Sequence, residues 1–279
     1  MAGDCVIGLD IGTTSTLGAL MTPPDEILAV AQRPTTLSSP HPGWAEENPA
    51  EWWDNARAIL RELAAAASAR SLTARGICVT GMVPALVLLD EAGRVIRPSI
   101  QQSDGRASDE VAELAAEVEE AEFLRRTGNG INQQLIATKL RWLERHENGA
   151  FARIRTVFGS YDYINWRLTG RRGLERNFAL EAGLIDLADN QIHDDLVALT
   201  HVARDAFAPV HDAHALFGEV SSETAWETGL PEGLPVFGGA ADHIASALAV
   251  WMGRQNGEFA MLFIEAKQDE GPDAESRNV

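Results

Sequence analysis

Basic residues are scarce in this chain. Twenty-three lysines and arginines stand against 41 aspartates and glutamates, a formal net charge of −18. Nucleic acids and anionic membrane surfaces need a basic face, so neither is expected as a partner. Nucleotides stay open, because a divalent cation and backbone donors can carry phosphate charge. Cysteine is nearly absent. Cys5 and Cys78 are the only two, both in apolar, strand-like runs, which predicts buried free thiols rather than a disulfide or metal site. No run of about 18 apolar residues occurs, so no membrane span is expected. No basic region precedes a long apolar core at the N-terminus, so no secretory leader is expected either. These absences fit a cytoplasmic enzyme, and equally a soluble binding domain.

What is present is enough for a sizeable core. The 279 residues are 45% hydrophobic and 23% charged, the balance of a globular chain with one large domain or two small ones. The opening stretch Val6-Ile7-Gly8-Leu9-Asp10-Ile11-Gly12-Thr13-Thr14-Ser15 reads as a strand broken by one carboxylate, then a turn bearing three hydroxyls. Leu17 to Met21 resumes the apolar pattern, so strand, tight turn and strand are expected, with Gly12 giving the turn its conformational freedom. Such a turn can aim N–H groups and hydroxyls at phosphate oxygens, and the acid beside it can hold Mg²⁺ through water. It is neither a Walker loop nor a dinucleotide fingerprint. The plain alternative is a hairpin with a polar turn.

Ile27 to Ala31 reads as a third strand, and an antiparallel start of this sort departs from a doubly wound fold. Asn48, Pro49 and Glu51 form a helix-start signature with a capping box. Trp52, Ala56, Ile59, Leu60 and Leu63 then follow at helical spacing, which predicts a helix over 49–67. Gly76 to Thr80 and Ala85 to Leu89 read as strands. Pro98 to Arg106 is dense in hydrogen-bonding groups between strand and helix, where loops often line sites; Asp104 is also placed to cap the next helix. Residues 106–122 read as one acidic helix with a solvated face, and further helices are expected at 136–147 and 159–168. His193, His201, His211 and His214 lack ligand spacing and read as surface or structural residues. Near the end, Pro235 to Asp242 is a short apolar run into two glycines. Asp242 then opens a helix through Ile244, Leu248 and Met252.

Four motifs thus occur in order: Asp10-Ile11-Gly12-Thr13-Thr14-Ser15, Trp44-Ala45-Glu46-Glu47-Asn48-Pro49 with Trp52-Trp53, Asp104-Gly105-Arg106, and Gly238-Gly239-Ala240-Ala241-Asp242. Together they resemble the N-terminal half of the FGGY family of carbohydrate kinases, which includes xylulokinases and other pentulose or polyol kinases. The resemblance spans roughly residues 4 to 250. It implies an α/β, ribonuclease-H-like domain of the hexokinase and actin type, a mixed sheet with flanking helices. It implies ATP and Mg²⁺ as cofactors and a small-molecule sugar or polyol as substrate. Asp10 would sit at Mg²⁺ through water and near the reacting phosphate, with Gly12, Thr13 and Thr14 along the phosphate path. Asp242 matches the general base. Asp104 and Arg106 match sugar-contacting or site-shaping positions, and Met82 and Val83 match the loop over the sugar.

Two departures bear on the substrate. Xylulokinases commonly carry Gln-Met-His-Gly where this chain has Gly81-Met82-Val83-Pro84, and Trp-Asn-Asp-Gly-Arg where it has Gln102-Ser103-Asp104-Gly105-Arg106. The missing His and Trp predict a sugar or polyol other than xylulose. A third departure is length. Thirty-seven residues follow Asp242, where the family continues into a second domain that supplies most of the adenosine site. The expected organisation is therefore an N-terminal kinase domain over 1–252. Residues 253–279 would be the truncated start of a second domain and a disordered tail. Two functions are carried forward: a sugar kinase that draws on a separately encoded second half or a homo-oligomer, and a sugar-binding fragment or pseudokinase without phosphoryl transfer.

Overall fold

The computed structural model describes residues 3–23 and 26–245. The predicted hairpin forms the start of the central sheet. Strands β1 (Asp4–Ile11) and β2 (Ser15–Thr22) pair antiparallel with Leu9 opposite Gly18, and β3 (Glu26–Pro34) adds antiparallel to β2. The chain then leaves the sheet for helix α1 (Pro49–Ala69) and returns in β4 (Thr73–Gly81), parallel to β1. The last two strands among the described residues, β5 (Leu216–Glu219) and β6 (Pro235–Ala241), form an antiparallel pair, and β6 lies parallel to β4. The sheet order is β5-β6-β4-β1-β2-β3. This mixed sheet with flanking helices is the expected ribonuclease-H-like architecture.

Strand alternation explains how one face becomes the core. Ile7, Leu9 and Ile11 on β1, with Ile77 and Val79 on β4, point inward and are buried. They meet the predicted α1 stripe of Trp52, Ala56, Ile59, Leu60 and Leu63. Gly18 is required here by space: a Cβ would lie 2.4 Å from a methyl of Ile59. The helix Ser160–Thr169 packs against β4, β5 and β6 and against α1. The opposite face carries Val6, Cys78, Phe237 and Leu216, all exposed; Gly8, Cys78, Phe237 and Leu216 stand in register across four strands. Cys78 therefore corrects the expectation of two buried thiols. Its neighbours Ile77 and Val79 take the inner face, so the period of two turns Cys78 outward.

Several local expectations change. Asn48 caps α1 by accepting from Ala50 N at 3.0 Å, but the capping box does not close. The Glu51 carboxylate instead accepts from the backbone N–H and hydroxyl of Thr36, at 3.2 and 3.0 Å. The strand expected at 85–89 is three residues, Val87–Leu89, paired with Thr156–Phe158 outside the central sheet. The single helix expected over 106–122 is two, Ser108–Glu117 and Glu120–Thr127, because Val118 is extended and Glu119 caps the second through Ala121 N and Glu122 N. Its acids are partly paired rather than merely solvated: Arg145 bridges Glu110 and Glu113, and Arg141 meets Glu117. His193 pairs with Asp189 and His201 with Glu144. No helix among the described residues is long and apolar enough to cross a membrane. The expected helix positions Leu248 and Met252, and the tail over 253–279, lie outside the described residues.

Candidate active site

Three parallel strands end side by side, and their carboxyl ends hold the candidate chemistry. Asp10 on β1 is in register with Thr80 on β4, and Thr80 with Ala240 on β6. Asp242 follows two residues later, where residues 242–245 turn into helix. Ligands in sheets with parallel strands gather outside such ends. The exit from β6 depends on Gly239. Its φ is +81°, and a Cβ there would fall 1.8 Å from the carbonyl oxygen of Val79. Gly238 is nearly as confined, with a Cβ placed 2.6 Å from the Asp212 carbonyl. Gly239 thus lets β6 press against β4, Gly238 lets it pass the 211–212 segment, and together they deliver Asp242 to the same edge as Asp10.

The turn after β1 is built by close approach. Gly12 N–H donates to Ser15 O at 3.0 Å, and a Cβ on Gly12 would meet that oxygen at 3.1 Å. Proximity, not a left-handed backbone, is why glycine stands there, which refines the expectation of conformational freedom. Thr13 and Thr14 are exposed beside it. Thr13 Oγ1 donates to Met82 Sδ at 3.6 Å, while Met82 N–H donates to Ile11 O at 3.1 Å. Ser160 Oγ donates to Met82 O at 2.7 Å, so the Met82–Val83 loop is tied from both sides and both side chains are buried. Asp10, Gly12, Thr13, Thr14, Met82 and Asp242 therefore share one edge of the sheet.

Electrostatics mark Asp10 as the unusual group. Burial, and after it the charge of Asp242, pushes its carboxyl up to about 7. Its Oδ1 is buried with no hydrogen-bond partner among the described residues, and so is the hydroxyl of Thr80 in register beside it. A desolvated carboxylate oxygen with a second carboxylate close by is a donor set that suits a hard divalent cation with its water shell. Mg²⁺ fits these residues.

Asp104 and Arg106 occupy a different place. Both side chains are buried and bind each other in a fork, Arg106 Nε to Asp104 Oδ1 at 2.8 Å and Nη2 to Oδ2 at 2.7 Å. Asp104 Oδ2 also accepts Ala45 N at 2.6 Å, and the guanidinium lies 3.7 Å from the ring centre of Trp44. Arg106 reaches Glu46 as well, at 2.8 Å. Burial alone would raise the Asp104 carboxyl, but the Arg106 side chain and the Ala45 and Arg106 N–H groups outweigh it and hold it below its ordinary range. The pair therefore clamps the 43–47 loop. Asp104 does not cap the following helix, which begins at Ser108 without a side-chain cap. Lys139 completes the cluster: it is fully buried, donates to Gln101 O at 2.8 Å, and is pushed down to about 7 by burial. Lys139 was legible as the one lysine inside an apolar helical pattern. Thr80 gave no signal, since its importance comes only from register with Asp10.

Residues 5–249 match the N-terminal domain of the FGGY family of carbohydrate kinases. The chain belongs to that family. It is 30% identical over 246 residues to the xylulose kinase of Klebsiella pneumoniae, covering 88% of this chain and 50% of that one. The crystal structure of a xylulose kinase from Rhodospirillum rubrum superposes with a TM-score of 0.87 at 63% identity, covering 88% of this chain and 51% of that one. A Plasmodium falciparum glycerol kinase solved with ADP shares the fold, with a TM-score of 0.82 at 18% identity over 89% of this chain and 50% of that one. The chain spans about half the length of the relatives it matches. In this FGGY chain the matched region ends just past Asp242, so every residue at the site edge falls within it.

Proposed function

We propose that this chain is the sugar-binding half of an ATP-dependent carbohydrate kinase, with Asp242 as general base and Asp10 as the Mg²⁺ anchor. The observation that carries the reading is the pairing of Asp10 and Asp242 at one sheet edge, close enough for the charge of Asp242 to raise Asp10. In phosphoryl transfer a sugar hydroxyl attacks the γ-phosphate of ATP. The O–H bond breaks as the new O–P bond forms, ADP leaves, and the proton passes to Asp242. A base in this role is worth about 10²–10⁴-fold in rate. Asp10 would hold Mg²⁺ through water, and the cation would neutralise charge on the phosphate oxygens. The Gly12–Thr14 turn presents hydroxyls along the phosphate path. The Met82–Val83 loop forms a buried apolar wall, and the Asp104–Arg106 clamp fixes the 43–47 loop that shapes the sugar side.

The substrate class that fits best is a pentulose. The changes at 81–84 and 102–106 point away from xylulose, but the relatives carrying that name include one at 63% identity, so ketopentoses return to the front of the panel. In this reading the kinase domain runs over residues 1–252, the protein works in the cytoplasm, and the adenosine side comes from a C-terminal kinase half or from another copy of the chain.

The test is ATP-dependent phosphorylation of D-xylulose, L-xylulose, ribulose, glycerol and other polyols by the full chain, with Asp242→Asn as control. Turnover that disappears in the variant supports the kinase. The second reading is a sugar-binding domain or pseudokinase without phosphoryl transfer; calorimetric sugar binding without turnover supports that one. Neither turnover nor sugar binding overturns both.

A further inference from the structure

The residue after the proposed base joins it to a second carboxylate. His243 Nε2 lies 3.1 Å from Glu181 Oε1, and its Nδ1 lies 3.5 Å from Asp242 Oδ1. The backbone N–H of His243 also donates to Asp242 Oδ1, at 2.6 Å. One imidazole therefore spans two carboxylates contributed by segments about sixty residues apart in the chain. We propose that His243 and Glu181 are positioning residues that hold Asp242 for proton abstraction, forming a Glu181–His243–Asp242 chain at the edge of the site. The proposal rests on Asp242 being the base.

The geometry gives each member a task. Asp242 Oδ1 is engaged by the His243 main chain and faces its ring, which leaves Oδ2 to receive the proton of the sugar hydroxyl. That proton stops on Asp242. Glu181 ends the helix Arg176–Glu181 and reaches back to the ring from the opposite side, with 27% of its side chain exposed. Burial pushes the Glu181 carboxyl up, the charge of His243 opposes that, and Asp242 adds to it. Among the described residues, the charged groups around the ring are Glu181 from the helix before Gly183, Asp242 from the same turn, and, beyond Asp242, Asp10 from β1. The ring lies between the two carboxylates, and with the main-chain N–H of His243 on Oδ1 it fixes the Asp242 rotamer.

The experiment uses the full chain, labelled with ¹⁵N in histidine and ¹³C in aspartate carboxyls. Glu181→Gln, Asp242→Asn and His243→Ala are compared with wild type, with circular dichroism to establish folding. The expected result is that Glu181→Gln shifts both the His243 ring nitrogens and the Asp242 carboxyl carbon. In His243→Ala the same carbon moves and no longer responds to Glu181→Gln. In any preparation that turns over, His243→Ala lowers kcat at least tenfold with the sugar KM within about twofold, and His243→Gln recovers part of the loss. An Asp242 carboxyl signal that ignores Glu181→Gln in a folded protein overturns the proposal. Absence of turnover in wild type with the coupled shifts intact counts against the kinase reading alone, so the two fail separately.

Discussion

Asp10 titrates in the field of Asp242. The two acids leave strands that flank β4, and Asp10, already desolvated, is held near 7. The consequence for stability has a definite sign. A carboxyl of about 3.9 in the unfolded chain and about 7 in the fold binds its proton more tightly when folded. Its contribution is full below about pH 4 and is lost as pH rises through about 7. Asp10→Asn removes that slope, so the variant should gain on wild type between pH 5 and 8 by on the order of 2 kcal/mol. Urea denaturation at the two pH values measures it; equal differences at both would show that Asp10 ionises normally.

Magnesium should act through the same group. Millimolar Mg²⁺ is expected to raise the melting temperature of wild type at pH 8, where Asp10 is ionised, and to do so less at pH 6. Asp10→Asn should lose the response at both values. A thermal shift that survives the substitution would place the cation elsewhere.

Lys139 carries the opposite slope. Burial holds it near 7, against about 10.4 when unfolded, so the unfolded chain binds the proton more tightly. Stability from this group is lowest below about pH 7 and rises as pH climbs toward 10. Lys139→Met should flatten that rise, seen as a smaller gain in urea midpoint between pH 7 and 9 than wild type shows.

Gly239 should tolerate no side chain. Its positive φ and the 1.8 Å approach to Val79 O make Gly239→Ala costly by at least about 2 kcal/mol. Because the change displaces Asp242 as well, the proposed sugar phosphorylation should fall further than the melting temperature alone explains. A stable, fully active variant would mean that β6 can shift without moving the proposed base.

Breaking the Asp104–Arg106 fork should be worse than a surface change. Arg106→Ala leaves a buried carboxylate with its main partner gone, a loss of about 3–5 kcal/mol. Tryptophan fluorescence should change with it, since Trp44 loses the guanidinium stacked on its ring. Sugar affinity in the surviving folded fraction then tells whether the 43–47 loop shapes the pocket.

What the sequence made legible was mainly local. The β1–β2 hairpin follows from alternation around a polar turn, and α1 from its apolar stripe and the Asn48 cap. Asp242 could be singled out because a glycine pair precedes an acid where a strand turns into a helix. What stayed hidden depends on distant partners. The Asp104 carboxylate looked like a helix cap until Ala45, 59 residues earlier, supplied a better donor. Glu51 forsook its own helix for Thr36. Cys78 sits in an apolar run that reads the same whether one face is covered or two. The Glu181–His243 contact has no local signature at all.

The sheet order also sets a timetable. β4 lies between β1 and β6, so the edge that brings Asp10 and Asp242 together closes only when residues 235–241 arrive. At about 5–20 residues per second, a ribosome takes roughly 12–48 s to reach that point. Until then the nascent chain holds the hydroxyl-bearing turn and its acid, with β4 as an unpaired edge. The edge that joins Asp10 to Asp242 is therefore completed only once β6 has emerged, and a nascent chain shorter than that holds β1 to β4 and α1 without it.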